Sequence, residues 1–205
     1  MKVTVVNGSA RKKGNSHSLV AALCEGFAED TEVVSYELQE LKGSGCIGCM
    51  SCKGKTERCA IEDGLTPVYG DMHESDVLVI ASPVYFGDVS GQAKIFIDRL
   101  YHIFTPDFHD GLNLEPGSVE RRRFSRLKDG VKVVFMTSQG AINEDLYADI
   151  QDRYPLFFKY LGFSEIHTIR EFGDPGTYPD QHRMEEALEQ ARKLGRQLSS
   201  EGIKG

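Results

Sequence analysis

A doubly wound α/β domain, with a parallel sheet between two layers of helices, is the fold class this sequence predicts. Three observations predict it. Short apolar runs alternate with segments of helical periodicity along the whole chain. Two of those runs, residues 76–81 and 131–137, are apolar on both faces, as central parallel strands must be. The first run leads into a glycine- and serine-rich loop and then a helix, the arrangement that binds an anion at a helix N-terminus.

The elements follow in order. Residues 2–7 form the first strand. Residues 17–27 form a helix with Leu19, Val20, Leu23, Cys24 and Phe27 on one face, where Cys24 packs as a small hydrophobe. Residues 32–37 form the second strand, and a cysteine-rich loop occupies 43–62. A short helix is expected near 65–73, then the apolar strand 76–81. The next helix, 91–101, carries Ala93, Phe96, Ile97 and Leu100 at helical spacing. An irregular excursion covers 102–129, long for a connection inside a compact domain. Strand 131–137 precedes a helical region at 144–161, with a kink expected near Pro155. A weaker edge strand at 165–170 and an amphipathic helix at 183–198 complete a five-stranded, single-domain reading.

Length and charge limit the function. A chain of 205 residues is long enough for one sizeable core. The net charge of −7 argues against general binding to nucleic acid or to an anionic membrane. No apolar stretch has membrane-spanning length. The opening residues read as a strand rather than a signal peptide, so a cytoplasmic location is expected. In that reducing compartment, clustered cysteines point to metal or redox chemistry before disulfides.

Four cysteines fall within fourteen residues: Cys46, Cys49, Cys52 and Cys59, spaced C-x2-C-x2-C-x6-C. Three thiolates two residues apart turn inward together only if the backbone wraps a common centre. The nearby Gly45, Gly48 and Gly54 give it that freedom. Such a run suits an iron–sulfur cluster held by four cysteine sulfurs. A structural zinc ion, or free or disulfide-forming thiols, are the alternatives.

Three further loops stand where strands end. The first, Asn7-Gly-Ser-Ala-Arg-Lys-Lys-Gly-Asn-Ser16, offers Ser9, Asn15 and Ser16 as hydrogen-bonding side chains and the start of a helix as a positive dipole end. It is neither a Walker A loop nor a dinucleotide fingerprint. It suits a mononucleotide phosphate. The second runs Ser82-Pro83-Val84-Tyr85-Phe86-Gly87, with aromatics that could lie against a flat ring. The third is Thr137-Ser138-Gln139-Gly140, small and polar. All three belong at the carboxyl ends of strands, where ligands of such folds bind. Together these motifs favour the flavodoxin-like strand order 2-1-3-4-5.

The motifs Gly8-Ser9-x-Arg11-x-x-Gly14-Asn15-Ser16, Ser82 to Gly87, the cysteine run, and Lys94 with Asp98-Arg99 together resemble the NADPH-dependent FMN reductases of the flavodoxin-like superfamily, and within them the iron–sulfur flavoproteins. The likeness is strong over residues 1–101 and moderate over 131–141. It implies FMN, with Ser9, Arg11, Gly14, Asn15 and Ser16 at its phosphate. It places Pro83, Val84, Tyr85, Phe86 and Gly87 beside the isoalloxazine, and Ser138, Gln139 and Gly140 at its other edge. It implies a [4Fe–4S] cluster on Cys46, Cys49, Cys52 and Cys59, and a homodimer or homotetramer. Electrons would pass between a carrier, ferredoxin or NAD(P)H, and a small-molecule or quinone acceptor. No side chain is expected to act as nucleophile or general base. Two other functions remain open: an NAD(P)H-dependent FMN or quinone reductase without a cluster, and a non-enzymatic electron carrier or redox sensor.

The remaining polar groups read as structural. The stretch 120–128 packs five positive charges into an acidic chain. It could meet an NADPH phosphate or an acidic ferredoxin, but a solvated surface or subunit contact accounts for it equally simply. His102, Asp107, His109 and Asp110 lack ligand spacing. His17 belongs to the phosphate-loop surface, Asp98 and Arg99 make structural pairs, and His73, His167 and His182 carry no pattern.

Overall fold

The computed structural model describes residues 1–174, 176–177 and 183–201; His182 lies outside them. Five parallel strands form the body of the sheet: β1 (Lys2–Asn7), β2 (Glu32–Glu37), β3 (Val77–Tyr85), β5 (Lys132–Gln139) and β6 (Glu165–Phe172). They lie in the order β2-β1-β3-β5-β6. The expected five-stranded sheet gains a sixth strand, the two-residue β4 (Asp88–Val89), which pairs antiparallel with the end of β3. Phe86 and Gly87 make the two-residue turn between them, both with positive φ (50° and 83°). That combination is the mirror-image turn a tight hairpin requires.

Period-two alternation divides the core. Val6, Leu78, Ile80, Val133 and Phe135 face α2 (Thr66–Glu74), α3 (Gly91–Arg99) and α5 (Asp149–Leu161). Val3, Val5, Val77, Val79, Val134 and Met136 face α1 (Asn15–Glu25) and α6 (Met184–Glu201). α1 and α6 cross closely at two glycines. A Cβ on Gly26 would sit 2.2 Å from the Arg192 carbonyl oxygen, and one on Gly195 2.2 Å from that of Leu23.

Element boundaries differ from expectation where the binding loops begin. β3 runs four residues past Ala81 and β5 two past Thr137, so Pro83, Val84, Tyr85, Ser138 and Gln139 lie on strand ends rather than in loops. Pro83 is tolerated because β1 pairs β3 only as far as Ala81. α1 starts at Asn15, with extended Gly14 as its N-cap. α3 ends at Arg99, and a 3-10 turn (Leu100–Ile103) follows. α5 begins at Asp149, five residues later than predicted, and keeps Pro155 inside it.

The excursion is organised rather than loose. It holds the 3-10 turn Phe108–Gly111 and the short helix α4 (Val119–Arg122), packed on buried Phe108, Phe124 and Arg121. Its basic run stitches the chain together. Arg126 donates to the carbonyls of His102, Phe104 and Cys52, and Lys128 pairs with Asp76. Arg122 donates to the carbonyls of Leu127 and Lys128. Most of this basic run is thus engaged within the chain, while Arg123 stays exposed. Asp98 and Arg99 do not pair with each other; Asp98 pairs with Lys94, and Arg99 with Asp63. Among the described residues, no helix is long and apolar enough to cross a membrane.

Candidate functional site

The carboxyl ends of β1, β3 and β5 surround a cleft of about 500 Å³. Its lining includes Ser9, Arg11, Gly14, Asn15, Ser16, Pro83, Val84, Tyr85, Ser138, Gln139 and Gly140, with Ala141, Asp174 and Thr177. Three loops far apart in sequence thus converge, as strand polarity requires. Phe86 and Gly87 do not line the cleft. The positive-φ turn points Phe86 outward, where it is fully exposed. Asp174 and Thr177 escaped the sequence reading; nothing in the stretch after β6 marks them by residue type or spacing.

The loop after β1, the candidate phosphate loop, is held by its own hydrogen bonds. Asn7 Oδ1 accepts from the Ser9 N–H at 3.0 Å, and Ser9 Oγ accepts from the Arg11 N–H at 3.2 Å. Buried Ser16 and Ser138 join their hydroxyls at 3.1 Å across the loop and β5. Gly8 has no room for a side chain: a Cβ would meet Ala93 Cβ at 2.7 Å and Ser90 Oγ at 2.8 Å. Ser90 caps α3 and donates to the Gly8 carbonyl at 2.7 Å, so α3 supports the loop from below. His17 pairs with Glu37 at 2.9 Å on the loop's outer side. Gln139 is turned away. Its Oε1 accepts from Arg170 Nη2 at 2.7 Å and its Nε2 donates to the Ala141 carbonyl at 3.0 Å. Its contribution to the cleft is therefore shape.

A second feature lies beyond the other end of α3. Cys46, Cys49, Cys52 and Cys59 border one small recess of about 30 Å³, with Arg99, Tyr101 and His102 behind them. All four thiols are free, and Cys46 and Cys49 are exposed. Among the described residues, no three His, Cys, Asp or Glu side chains are grouped as a metal ion would require. The thiols share a recess but are not drawn together around one centre, be it a zinc ion or an iron–sulfur cluster. The four-thiol donor set itself is the one an iron–sulfur cluster takes.

Cations surround this recess. Lys53 donates to the carbonyls of Tyr101 (2.6 Å) and Phe104 (2.7 Å), its Nζ lying 4.2 Å above the centre of the Tyr101 ring. Burial pushes its ammonium down to about 8, against the pull of Cys52. Arg126 reaches the Cys52 carbonyl at 3.0 Å. Behind them His102 is buried and meets His73 Nε2 to Nε2 at 2.9 Å. Burial drives His102 down to about 4. The histidine pair was not visible in the sequence, because its members stand 29 positions apart.

The fold is that of a flavodoxin-like α/β domain, with the cleft at the carboxyl ends of its strands. The family model of the NADPH-dependent FMN reductases matches residues 1–114, and the chain belongs to that family. An iron–sulfur flavoprotein of Methanocaldococcus jannaschii is 40% identical over 102 residues, 48% of this chain and 51% of that protein. An iron–sulfur flavoprotein of Methanosarcina thermophila is 33% identical over 104 residues, 48% of this chain and 52% of that one. The chain thus spans about half the length of these curated relatives. Among solved structures, an NAD(P)H:quinone oxidoreductase from Methanothermobacter marburgensis superposes with a TM-score of 0.70 at 18% identity, covering 97% of this chain and 96% of that one. An FMN-dependent NADH-azoreductase from Bacillus anthracis gives 0.63 at 16% identity, covering 97% and 100%. At such identities the likeness is one of fold.

Proposed function

We propose that the chain is an FMN-dependent oxidoreductase that passes electrons from NAD(P)H or ferredoxin to a small acceptor such as a quinone, with a [4Fe–4S] cluster on Cys46, Cys49, Cys52 and Cys59. The observation that carries the flavin is the convergence of three strand ends on one cleft, in the family whose model covers over half the chain. The cleft is of a size that holds a cofactor. Bound FMN would exchange electron pairs or single electrons, and a cluster single electrons.

The chain's own residues bind and orient. The first-turn amides of α1, with Ser9 and Asn15, receive the phosphate. Pro83, Val84 and Tyr85 form one wall for a planar ring, and the β5 end with Ser138 and Gly140 forms the other. The cluster reading is supported by four thiols on one recess, by Lys53, Arg99 and Arg126 around them, and by the relatives' description as iron–sulfur flavoproteins. Positive charge favours the thiolate forms that iron binds. A homodimer or homotetramer and a cytoplasmic setting complete the proposal.

Iron and flavin contents of protein purified without oxygen test it. Four irons per FMN, and bleaching of the flavin by NAD(P)H or reduced ferredoxin, are expected. Flavin without iron would leave a plain NAD(P)H-dependent FMN or quinone reductase. Negligible turnover with every donor and acceptor pair would make the chain an electron carrier or sensor.

A further inference from the structure

Glu171 lies at the end of β6, beside Ser138 of β5, and is fully buried. Its Oε2 accepts from Asn15 Nδ2 at 3.1 Å; its Oε1 is closed off from water with no hydrogen-bond partner. Asn15 is the first residue of α1 and lines the cleft. A carboxyl group thus stands one side chain behind the phosphate loop.

The charged groups around it do not neutralise it. Arg170, its neighbour on β6, is engaged by Gln139 and by the carbonyls of Glu144 and Leu146. Arg183, ahead of α6, pairs with Glu144, and His17 on α1 with Glu37. Arg11 of the phosphate loop acts on Asp174, and Asp174, on the loop after β6, adds negative charge beside Glu171. Among the described residues, no cation pairs with Glu171. Burial pushes its carboxyl up to about 7; the Asn15 hydrogen bond opposes the rise and Asp174 adds to it.

A dianionic phosphate and a carboxylate compete for the same donors and repel each other. Protonating the carboxyl removes the conflict. It also turns one carboxyl oxygen into a donor at a site whose incoming ligand offers only acceptors. We propose that Glu171 takes up a proton from solvent when a phosphate-bearing flavin enters the cleft, so that FMN binding is coupled to proton uptake and binding of the dephosphorylated flavin is not. This rests on the flavin reading above. The cleft would then select phosphorylated flavin most strongly on the acid side of neutrality.

Calorimetric titration of the flavin-free protein at pH 8, in two phosphate-free buffers of different ionisation enthalpy, counts the protons. At that pH a phosphate monoester is already dianionic, its second pKa being about 6. FMN is expected to bring uptake approaching one proton, and riboflavin close to none. Glu171→Gln should bind FMN without uptake. Between pH 8 and 9 the FMN association constant of the native protein should fall up to about tenfold, while that of the variant stays flat. Equal uptake by native protein and variant, or by FMN and riboflavin, overturns the coupling. Should the variant fail to fold, the FMN–riboflavin difference still decides. Failure of both flavins to bind would instead overturn the flavin reading.

Discussion

Arg99 and Asp63 meet at 2.7 Å, with the guanidinium wholly buried. Both Asp63 carboxylate oxygens accept from Arg99 Nη1. The same guanidinium donates to the carbonyls of Ser44 (3.3 Å) and Ile61 (2.8 Å). Those residues flank the first and last cysteines of the loop. One side chain at the end of α3 therefore gathers both ends of the cysteine loop.

Replacing Arg99 with methionine should cost about 3–5 kcal/mol, because a largely buried carboxylate loses its counter-charge. The four loop thiols should then react faster with a thiol reagent. Urea unfolding and thiol-labelling rates check this; native stability with native labelling would refute the clamp.

Acid should release the same clamp. Burial alone would raise the Asp63 carboxyl. Arg99 and the N–H groups of Ser44 and Leu65 outweigh burial and hold it down to about 2. A depressed carboxyl contributes fully above its unfolded value of about 4 and loses that contribution as pH falls toward 2. The stability gap between native protein and Asp63→Asn should be widest above pH 4 and shrink below it. A gap independent of pH would count against the ion pair.

Gly195→Ala and Gly26→Ala should each destabilise by about 1–3 kcal/mol, since either Cβ drives the α1–α6 crossing apart. Both relieve the same contact, so the double variant should lose less than the sum of the two. Additive losses would mean the two glycines act independently.

Phe86→Gly should leave flavin affinity unchanged and raise stability by about 1 kcal/mol. The aromatic holds a left-handed backbone that glycine adopts freely, and it does not line the cleft. Weakened flavin binding in this variant would show that Phe86 swings onto the ring.

Much of this was legible in the sequence. The apolar runs marked every parallel strand, and the family resemblance carried by three loops named eleven residues that line the cleft. Phe86 and Gly87 fall in a hairpin turn outside the cleft lining, and a Tyr-Phe-Gly-Asp string reads equally as that turn or as a ring-facing loop. Only the pairing of Tyr85 with Asp88 decides between them. The Arg99–Asp63 clamp, the histidine pair and the Asn15–Glu171 contact were hidden for a different reason. Each joins residues 29 or more positions apart, and no local periodicity records which buried charges will meet.

α3 touches both ends of the machinery. Its cap Ser90 holds the phosphate loop at Gly8, and its last residue, Arg99, holds the cysteine loop. The nine-residue helix spans about 13 Å. With the proposed flavin at the first end and the proposed cluster at the second, electron tunnelling between them would weaken exponentially with distance, and a wandering loop would smear its rate. A helix used as a spacer would instead set that rate by the number of its turns.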